Sequence, residues 1–207
     1  MLCGCPAFEF RLPRMTVFFM TTTPDSEQTP QPVRETWKYC PRCGNAPQQI
    51  GENPFQCEAC GHRHFFGPVS AVAGIITDAA GRILVLIRNR DPGRGLFGIP
   101  GGFCDPGETA EQSLAREIRE EVGLEATAMK YLGSFPNEYV YRGAILPVTD
   151  LFFTAEVSST QGICLQQEEI CDYQFCAPQD LQLEQFAFQS NRRALELFLE
   201  QTSATMG

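Results

Sequence analysis

The stretch that decides the fold begins Gly102-Phe-Cys-Asp-Pro-Gly-Glu108 and, after seven further residues, continues Arg116-Glu117-Ile118-Arg119-Glu120-Glu121-Val122-Gly123-Leu124. Between its two parts, the pattern predicts a helix over residues 109–122. Thr109 is a suitable N-cap, and Gln112, three residues later, completes a capping box. Gly123 is a natural residue to end the helix, because glycine adopts the left-handed conformation without a steric cost.

Three glutamates of this predicted helix share one face. Glu117, Glu120 and Glu121 are spaced i, i+3 and i+4, so their carboxylates crowd together and repel one another. A hard cation such as Mg²⁺, which takes oxygen ligands, would relieve that repulsion. The alternative is an ordinary acidic surface helix, since runs of charge are commonly solvated. The preceding loop, Pro100-Gly101-Gly102, allows close approach of the backbone and favours the cation site.

The stretch resembles the Nudix box, G-x5-E-x7-R-E-U-x-E-E-x-G-U with U aliphatic, at every specified position. From average residue usage, a chance match is on the order of 10⁻⁷. The resemblance extends over roughly residues 69–200, although only residues 102–124 are highly specific. It implies an α/β fold, an α/β/α sandwich with a mixed sheet, in which the box forms a loop, a helix and a second loop.

The resemblance also implies roles for the box residues. Glu117, Glu120 and Glu121 match the family's metal-binding glutamates, which are the catalytic carboxylates, and the carbonyl of Gly102 often joins them. A matching pair, Glu108 and Arg116, usually braces the loop against the helix.

Family members often add a glutamate from a later loop as a base or metal ligand. Glu168 and Glu169 are the candidates here, and we favour Glu168 as the further catalytic carboxylate. An ordinary acidic loop is the alternative for both residues.

Strand patterns surround the box. Buried strands are predicted over residues 70–77 and 82–88, and the turn residues at 78–81 suggest that the two form a hairpin. Further strands are predicted over 129–135, 146–157 and 172–176, and an amphipathic helix over 191–200. Because strands and helices are interspersed, we expect an α/β or α+β domain with a mixed sheet.

Four cysteines near the N-terminus have the spacing of metal ligands. Cys40-Pro-Arg-Cys43 and Cys57-Glu-Ala-Cys60, separated by thirteen residues, predict a closed tetrathiolate zinc site with a structural role. The module is too small to bury its own core, so the metal would supply the missing stability. A redox-active thiol pair is the alternative. His62 and His64 are interpreted as surface or packing residues.

The chain therefore divides into three predicted segments. Residues 1–35 are predicted to be a disordered leader or linker, since residues 21–32 are rich in Thr, Pro and Gln. Residues 36–68 form the predicted zinc ribbon, and residues 69–202 the predicted Nudix hydrolase domain. The longest apolar run near the N-terminus, residues 17–20, is too short for a signal peptide or a membrane span.

Composition restricts the partners and the compartment. The formal net charge of −9 disfavours general nucleic-acid and membrane-surface partners, because both require a basic face. Paired CxxC motifs indicate metal thiolates rather than disulfides, and we therefore expect a cytoplasmic protein. Other cysteines are expected to behave as small buried hydrophobic residues, namely Cys104, Cys164, Cys171 and Cys176.

Several residues outside the box are candidates for binding a substrate. Arg88 and Arg90, at the end of the second predicted strand, would clamp phosphate, or else carry solvated charges. Phe97 stands where the family often has tryptophan, with a place in the core as the alternative. Three aromatic residues after the box are candidates for stacking a base, or else for filling a face of the sheet: Phe135, Tyr139 and Tyr141.

The order of a zinc ribbon followed by a Nudix domain resembles the NADH pyrophosphatase branch and related pyrophosphatases of flavin and other dinucleotides. The NADH branch carries an S-Q-P-W-P-F-P-type motif after the box. This sequence has Gly133-Ser-Phe-Pro-Asn-Glu-Tyr-Val-Tyr-Arg-Gly143 in that region, so the motif is absent. The resemblance therefore does not extend to specificity for NADH.

The resemblance implies a Mg²⁺- or Mn²⁺-dependent hydrolase that splits the diphosphate linkage of FAD, NAD(H), ADP-ribose or a similar nucleotide into two monophosphoryl products. Two alternatives stay open: a regulator that binds a nucleotide without cleaving it, and an enzyme that processes RNA 5′ ends. Family members are often dimers, so a homodimer is also expected. Substrate choice lies in loops outside the box.

Overall fold

The computed structural model describes residues 29–205, so the first 28 residues of the predicted leader lie outside it. Its elements, in chain order, are β1 (Gln31–Pro32), α1 (Val33–Thr36), β2 (Phe55–Gln56), β3 (Arg63–His64), β4 (Val69–Ile76), β5 (Ile83–Arg88), β6 (Phe97–Gly98), β7 (Gly101–Phe103), α2 (Ala110–Val122), β8 (Ala126–Tyr141), β9 (Ala144–Val157), β10 (Ile170–Cys176) and α3 (Gln189–Thr205). Two short 3-10 helices, Pro178–Asp180 and Leu183–Gln185, connect β10 to α3.

The long strand β9 organises the larger sheet. β8 pairs antiparallel along one edge of β9, and β4 pairs parallel along the other edge. The short strand β1 continues that second edge, and β7 pairs antiparallel with β4. A smaller antiparallel sheet has the order β10-β5-β6, while β2 and β3 form a separate hairpin. The larger sheet is therefore mixed, as the sequence predicted.

The predicted hairpin of β4 and β5 is wrong, although both strands are present. A single antiparallel bridge, between Thr77 and Ile83, joins them before they enter different sheets. Both strands are apolar on both faces, so each needs cover on two sides. Because β4 and β5 separate, side chains from both sheets pack into a shared interior. A simple hairpin would have left one face of each strand exposed.

Alternate side chains of the buried strands point into two core clusters. Val72 and Ile76 of β4 join the cluster that contains the apolar face of α2, while Ala73 and Ile75 join the cluster that contains α3. The period-two alternation of a strand thus distributes its apolar side chains between two helical layers. This arrangement is the predicted α/β/α sandwich.

Both ends of helix α2 are fixed as the sequence predicted. The Thr109 hydroxyl accepts a hydrogen bond from the Gln112 backbone N–H at 3.2 Å, and the Gln112 side chain accepts one from the Thr109 N–H at 2.9 Å. At the other end, Gly123 adopts a left-handed conformation with φ of 70° and donates to the Arg119 carbonyl. The capping box fixes the first residue of α2, and it therefore fixes the positions of the three glutamates along the helix.

Strands β8 and β9 extend well beyond their predicted bounds, 129–135 and 146–157. They form a long hairpin whose turn residues, Arg142 and Gly143, both have positive φ, at 47° and 80°. Such a turn matches the right-handed twist of the flanking strands. Pro136 concealed the extension in the sequence, because proline is tolerated in a strand mainly at a sheet edge. β8 is such an edge.

The end of the predicted leader is ordered. Residues 31–36 form β1 and α1, and β1 pairs in parallel with the first residues of β9. This pairing attaches the chain directly before the cysteine module to the larger sheet.

Candidate active site and metal centre

The loop before α2 lies very close to two other parts of the chain. A Cβ atom at Gly101 would lie 2.1 Å from the Val72 carbonyl oxygen, and one at Gly102 would lie 2.6 Å from the Glu117 carboxylate. β7 pairs Gly102 with Val72, which holds the loop beside β4. Gly101 is therefore required for steric reasons, because its Cβ would meet backbone atoms, whereas a Cβ at Gly102 would meet only the carboxylate end of the Glu117 side chain.

Glu121 is the buried carboxylate of the site, with a relative exposure of 5%. Its Oε2 accepts a hydrogen bond of 2.9 Å from the Gly101 N–H. Burial, the largest cause, raises the pKa of Glu121 to about 8, and the nearby carboxylates of Glu117 and Glu169 act in the same direction. A cation beside these oxygens would offset both the burial and the mutual repulsion. The box carboxylates do not form a close set, because among the described residues only the four cysteines bring three or more such ligand atoms within 4.8 Å of one another.

Arg116 holds the glutamates of the box in place. Its Nε donates to Glu108 at 3.1 Å, and its Nη1 donates to Glu117 at 2.7 Å and to Glu120 at 3.3 Å. The third nitrogen, Nη2, bonds Glu108 and the Phe103 carbonyl, each at 3.1 Å. Glu108 also accepts from the Ser113 hydroxyl, and these bonds lower the pKa of Glu108, Arg116 contributing most.

This geometry gives Arg116 and Glu108 more than one task. Their hydrogen bonds join the loop residues Phe103 and Glu108 to the helix, and a bracing role stays a prediction from the resemblance. Arg116 also bonds Glu117 and Glu120, so it restrains two of the three glutamates on the shared face. The third, Glu121, is restrained by the loop instead.

The two later-loop glutamates are placed differently. Glu168 is exposed, whereas Glu169 is half-buried and forms a 2.6 Å ion pair with Arg90. The carboxylate of Glu169 also raises the pKa of both Glu117 and Glu121, after the larger effect of burial in each case. The placement supports Glu169, rather than the favoured Glu168, as the further carboxylate of this site.

A small cleft of about 80 Å³, open to solvent, begins at the Gly101–Gly102 loop. Arg88, Arg90 and Tyr139, three of the four candidate substrate-binding residues, line it together with the loop. The fourth, Phe97, is not among the lining residues, and packs edge-on against Phe186 with the ring centroids 5.7 Å apart. That packing matches its alternative place in the core.

Arg88 is a half-buried cation with spare hydrogen-bonding capacity. Its Nε donates to the Pro92 carbonyl at 3.0 Å, and its guanidinium lies 4.9 Å above the centre of the Phe188 ring. Its Nη2 is buried and has no hydrogen-bond partner within residues 29–205. Burial lowers the pKa of Arg88, although arginine keeps its charge in proteins. A buried guanidinium nitrogen without a partner, in a cleft open to solvent, favours an anionic ligand.

Only one of the three candidate stacking residues reaches the cleft. Tyr139 lines it, with Phe103 and Phe188 at centroid distances of 5.3 and 6.0 Å. Phe135 packs in the core beside Phe152, at 6.0 Å. Tyr141 lies outside the cleft lining, 53% exposed, with the Arg142 guanidinium 5.3 Å from its ring.

Three polar residues of the cleft carried no signal in the sequence. Asp150 and Asn191 both line the cleft and are both 7% exposed, and Asn137 lies beside them. The fully buried Ser190 donates a short hydrogen bond to Asp150. Asp150 interrupts an apolar strand, and Asn191 lies in an amphipathic helix. These two polar residues were the only indication of the site that the sequence offered.

The four cysteines come together as their spacing predicted. All four sulfur atoms lie within 4.8 Å of one another, with 3.7 Å between Cys40 and Cys60 and 3.6 Å between Cys43 and Cys57. A tetrahedral ion with metal–sulfur bonds of about 2.3 Å separates its ligands by about 3.8 Å. The sulfur geometry therefore fits a four-coordinate zinc ion with no open position.

Aromatic packing completes the cysteine module. The Trp37 ring stacks on His64 at 4.5 Å and contacts Phe55 and Phe66 edge-on at 5.6 and 4.8 Å. His62 lies 6.4 Å from Phe55. Both histidines are half-buried packing residues, as predicted.

Comparison with known proteins adds the decisive observation. The family model of the NUDIX domain matches residues 67–198, which is more than half of the chain and contains the whole box. The chain belongs to the Nudix family. The match begins directly after the cysteine module and ends within α3.

Curated Nudix relatives cover about the same part of the chain. It is 32% identical over 149 residues to the NAD-capped RNA hydrolase NudC of Haemophilus influenzae strain PittGG, covering 68% of this chain and 52% of that protein. It is also 32% identical over 155 residues to the NudC of Pseudomonas fluorescens strain Pf0-1, covering 70% and 51%. The chain thus spans about half the length of these relatives.

Solved Nudix structures share the fold. A Nudix hydrolase from Nitrosomonas europaea superposes with a TM-score of 0.59 at 21% identity, covering 79% of this chain and 90% of that one. The Nudix domain of Shewanella oneidensis NrtR, solved with ADP-ribose, has a TM-score of 0.55 at 23% identity, covering 67% and 90%. At these identities the likeness concerns the fold alone.

Proposed function

We propose that this Nudix chain is a metal-dependent hydrolase that cleaves the diphosphate linkage of a nucleoside diphosphate derivative into two monophosphoryl products. FAD, NAD(H) and ADP-ribose are the candidate substrates. The observation that carries the proposal is a cleft in which the box loop meets a half-buried arginine, Arg88, whose buried Nη2 is unsatisfied. A diphosphate carries the negative charge that Arg88 requires, and a metal ion held by the box carboxylates would bind its oxygens.

In this proposal, Glu117, Glu120 and Glu121, with the carbonyl of Gly102, would hold Mg²⁺ or Mn²⁺. Such an ion would supply positive charge for the leaving phosphate and would make water a better nucleophile. Arg88 binds a phosphate oxygen through its free Nη2. Arg116 holds the carboxylates of Glu117 and Glu120 in position through its ion pairs with both.

Glu169 is the proposed acceptor of the proton from the attacking water. Its carboxylate lies close enough to Glu117 and Glu121 to affect the pKa of both. Its ion pair with Arg90 holds it in position, so Arg90 acts on orientation as well as on phosphate binding.

A structural zinc ion is proposed for Cys40, Cys43, Cys57 and Cys60. Four thiolates saturate its tetrahedral coordination, so the ion has no part in hydrolysis. Zinc thiolates persist in a reducing compartment, and the cytoplasm is therefore the proposed location. No helix between residues 29 and 205 has the length and hydropathy needed to span a membrane. A homodimer is the proposed assembly, and light scattering of the purified chain tests it.

A cleavage panel tests the proposed reaction. The full chain, zinc-replete, is incubated with Mg²⁺ or Mn²⁺ and FAD, NADH, ADP-ribose or a diadenosine polyphosphate, and the products are separated by chromatography. We expect two monophosphoryl products from wild type, and a loss of at least about 100-fold for Glu120→Gln. Glu111→Gln, on an exposed and unspecified position of the same helix, is the matched control. No cleavage of any compound by wild type would contradict the proposal.

Two other functions belong in the same experiment. The relatives named NAD-capped RNA hydrolases favour adding an NAD-capped RNA to the panel. Preference for the capped RNA over free NAD, with a steep salt dependence, would identify RNA as the substrate, against the expectation from the net charge of −9. Tight nucleotide binding without cleavage by metal-saturated protein would identify a regulator instead.

A further inference from the structure

One part of the cleft has a chemistry that phosphate binding leaves unexplained. We call it the recess and define it by Asn137, Tyr139, Asp150, Phe188 and Asn191, all of which line the cleft. It contains a carboxylate and two amides but no cation of its own. A site of this composition does not suit a phosphate group. It suits a neutral group that donates hydrogen bonds.

Asp150 is a buried acceptor held in a fixed orientation. The Ser190 hydroxyl donates a hydrogen bond to its carboxylate. Burial raises the pKa of Asp150, and the nearby Asn137 and Ser190 side chains act in the opposite direction. A carboxylate offers about four acceptor positions, so about three stay available after the Ser190 bond. Asp150 is 7% exposed and lines the cleft, so a ligand that displaces water there would have to offer an N–H or O–H group to this carboxylate.

Asn191 provides the second polar group. It is 7% exposed, it lines the cleft, and its side-chain amide forms no hydrogen bond with any residue between 29 and 205. It directly follows Ser190, whose bond to Asp150 ties the first turn of α3 to β9. The free amide is therefore positioned by the same contact that fixes the carboxylate.

Aromatic rings flank these two polar residues. Tyr139 and Phe188 lie 6.0 Å apart with their planes inclined by 32°, and Phe103 packs edge-on against Tyr139. Arg88 stacks on the Phe188 ring at 4.9 Å, which places the proposed phosphate-binding guanidinium next to the recess. A flat ring joined to a phosphate would thus find an apolar surface and its polar partners in one place.

We propose that the recess binds the base of the substrate, and that this base is a nitrogen heterocycle carrying an exocyclic amine beside a ring nitrogen, as in adenine. The amine has two N–H bonds and donates to the Asp150 carboxylate and the Asn191 carbonyl. The ring nitrogen accepts from the Asn191 amide. A lactam edge fits less well, because it would place a carbonyl oxygen against the carboxylate.

This inference rests on the proposed function for the identity of the ligand, but its test does not require hydrolysis. The probes are AMP and the corresponding purine nucleotide in which hydrogen replaces the 6-amino group, titrated calorimetrically into the full chain. We expect wild type to bind AMP roughly tenfold to a hundredfold more tightly, because the analogue leaves a buried carboxylate unsatisfied. Equal affinities, or no saturable binding of AMP at millimolar concentration, would overturn the inference.

Variants separate recognition from a merely structural role. Asp150→Asn should reduce the preference for AMP over the analogue to less than about threefold, since an amide N–H would then face the amine. Asp172→Asn, an exposed aspartate on β10, should keep the wild-type preference. If Asp150→Asn weakens both ligands equally, Asp150 only supports the fold and the inference fails. If Asp150→Asn does not fold, the wild-type ratio alone decides.

The cleavage panel distinguishes failure of the inference from failure of the proposed reaction. Discrimination between the two nucleotides without any hydrolysis would leave base recognition standing and reject the enzyme. Hydrolysis of ADP-ribose and its deaminated analogue at equal kcat/KM would support the enzyme and reject base recognition through the amine.

Discussion

Replacing Gly102 with alanine tests the site through one methyl group. The new Cβ would lie 2.6 Å from Oε1 and 2.8 Å from Oε2 of Glu117, whereas ordinary contacts begin near 3.4 Å. The Glu117 carboxylate must therefore retreat by about 0.8 Å, the difference between 3.4 and 2.6 Å. A misplacement of about 1 Å in a catalytic group costs on the order of 100-fold in rate.

We therefore expect Gly102→Ala to lower kcat/KM by about 30- to 100-fold on the best substrate of the panel. Mn²⁺ binding, measured by titration, should weaken by about tenfold, because one ligand is displaced. The free energy of unfolding should fall by only about 1–2 kcal/mol, since a side chain rather than the backbone gives way.

The matched control is Gly67→Ala. Gly67 has no heavy atom within 4 Å of the position that a Cβ would occupy, and neither glycine has a positive φ. Activity of Gly102→Ala within threefold of Gly67→Ala would refute the reasoning. A large loss of stability in Gly102→Ala would refute it differently, by showing that the effect is on folding.

Three further changes probe the charges and the metal-binding module. Arg116→Ala should lower the free energy of unfolding, measured in denaturant, by about 2–4 kcal/mol, because partly buried carboxylates lose their counter-charge; an unchanged midpoint would contradict this. Glu169→Gln should reduce kcat at least tenfold while Glu168→Gln does not, and equal effects would remove Glu169 from the proposed mechanism. Cys57→Ser should abolish stoichiometric zinc and change the fluorescence of Trp37, the chain's only tryptophan, and retention of both would argue against the tetrathiolate site.

The sequence predicted the elements of the fold better than their pairing. Helix α2 could be bounded to the residue, because Thr109, Gln112 and Gly123 make local contacts that depend on spacing alone. The pairing of β4 could not be predicted in this way. Its neighbour in the larger sheet is β9, more than seventy residues later, and its apolar run is equally compatible with a hairpin.

The same distinction applies to the site. The box residues are close in sequence, so helical geometry sufficed to bring Glu117 and Glu121 together. Glu168 and Glu169 are neighbouring glutamates that look alike in the sequence. They differ only in which of them faces α2, and that depends on the conformation of the loop. Here Arg90, distant in sequence but paired with Glu169, determines the orientation.

The proposed metal ligands and the recess lie on different elements, and this affects how substitutions can change the choice of substrate. All the proposed ligands of Mg²⁺ or Mn²⁺ lie on α2 and β7, whereas the recess is built from β8, β9 and the start of α3, with Arg88 of β5 beside it. Asp150 and Asn191 meet through Ser190, not through the box. Substitutions in the recess can therefore alter which base is bound while Glu117 and Glu121 keep their contacts with Arg116 and Gly101. Because the box and the recess are built from different elements, a complete box leaves the substrate undetermined.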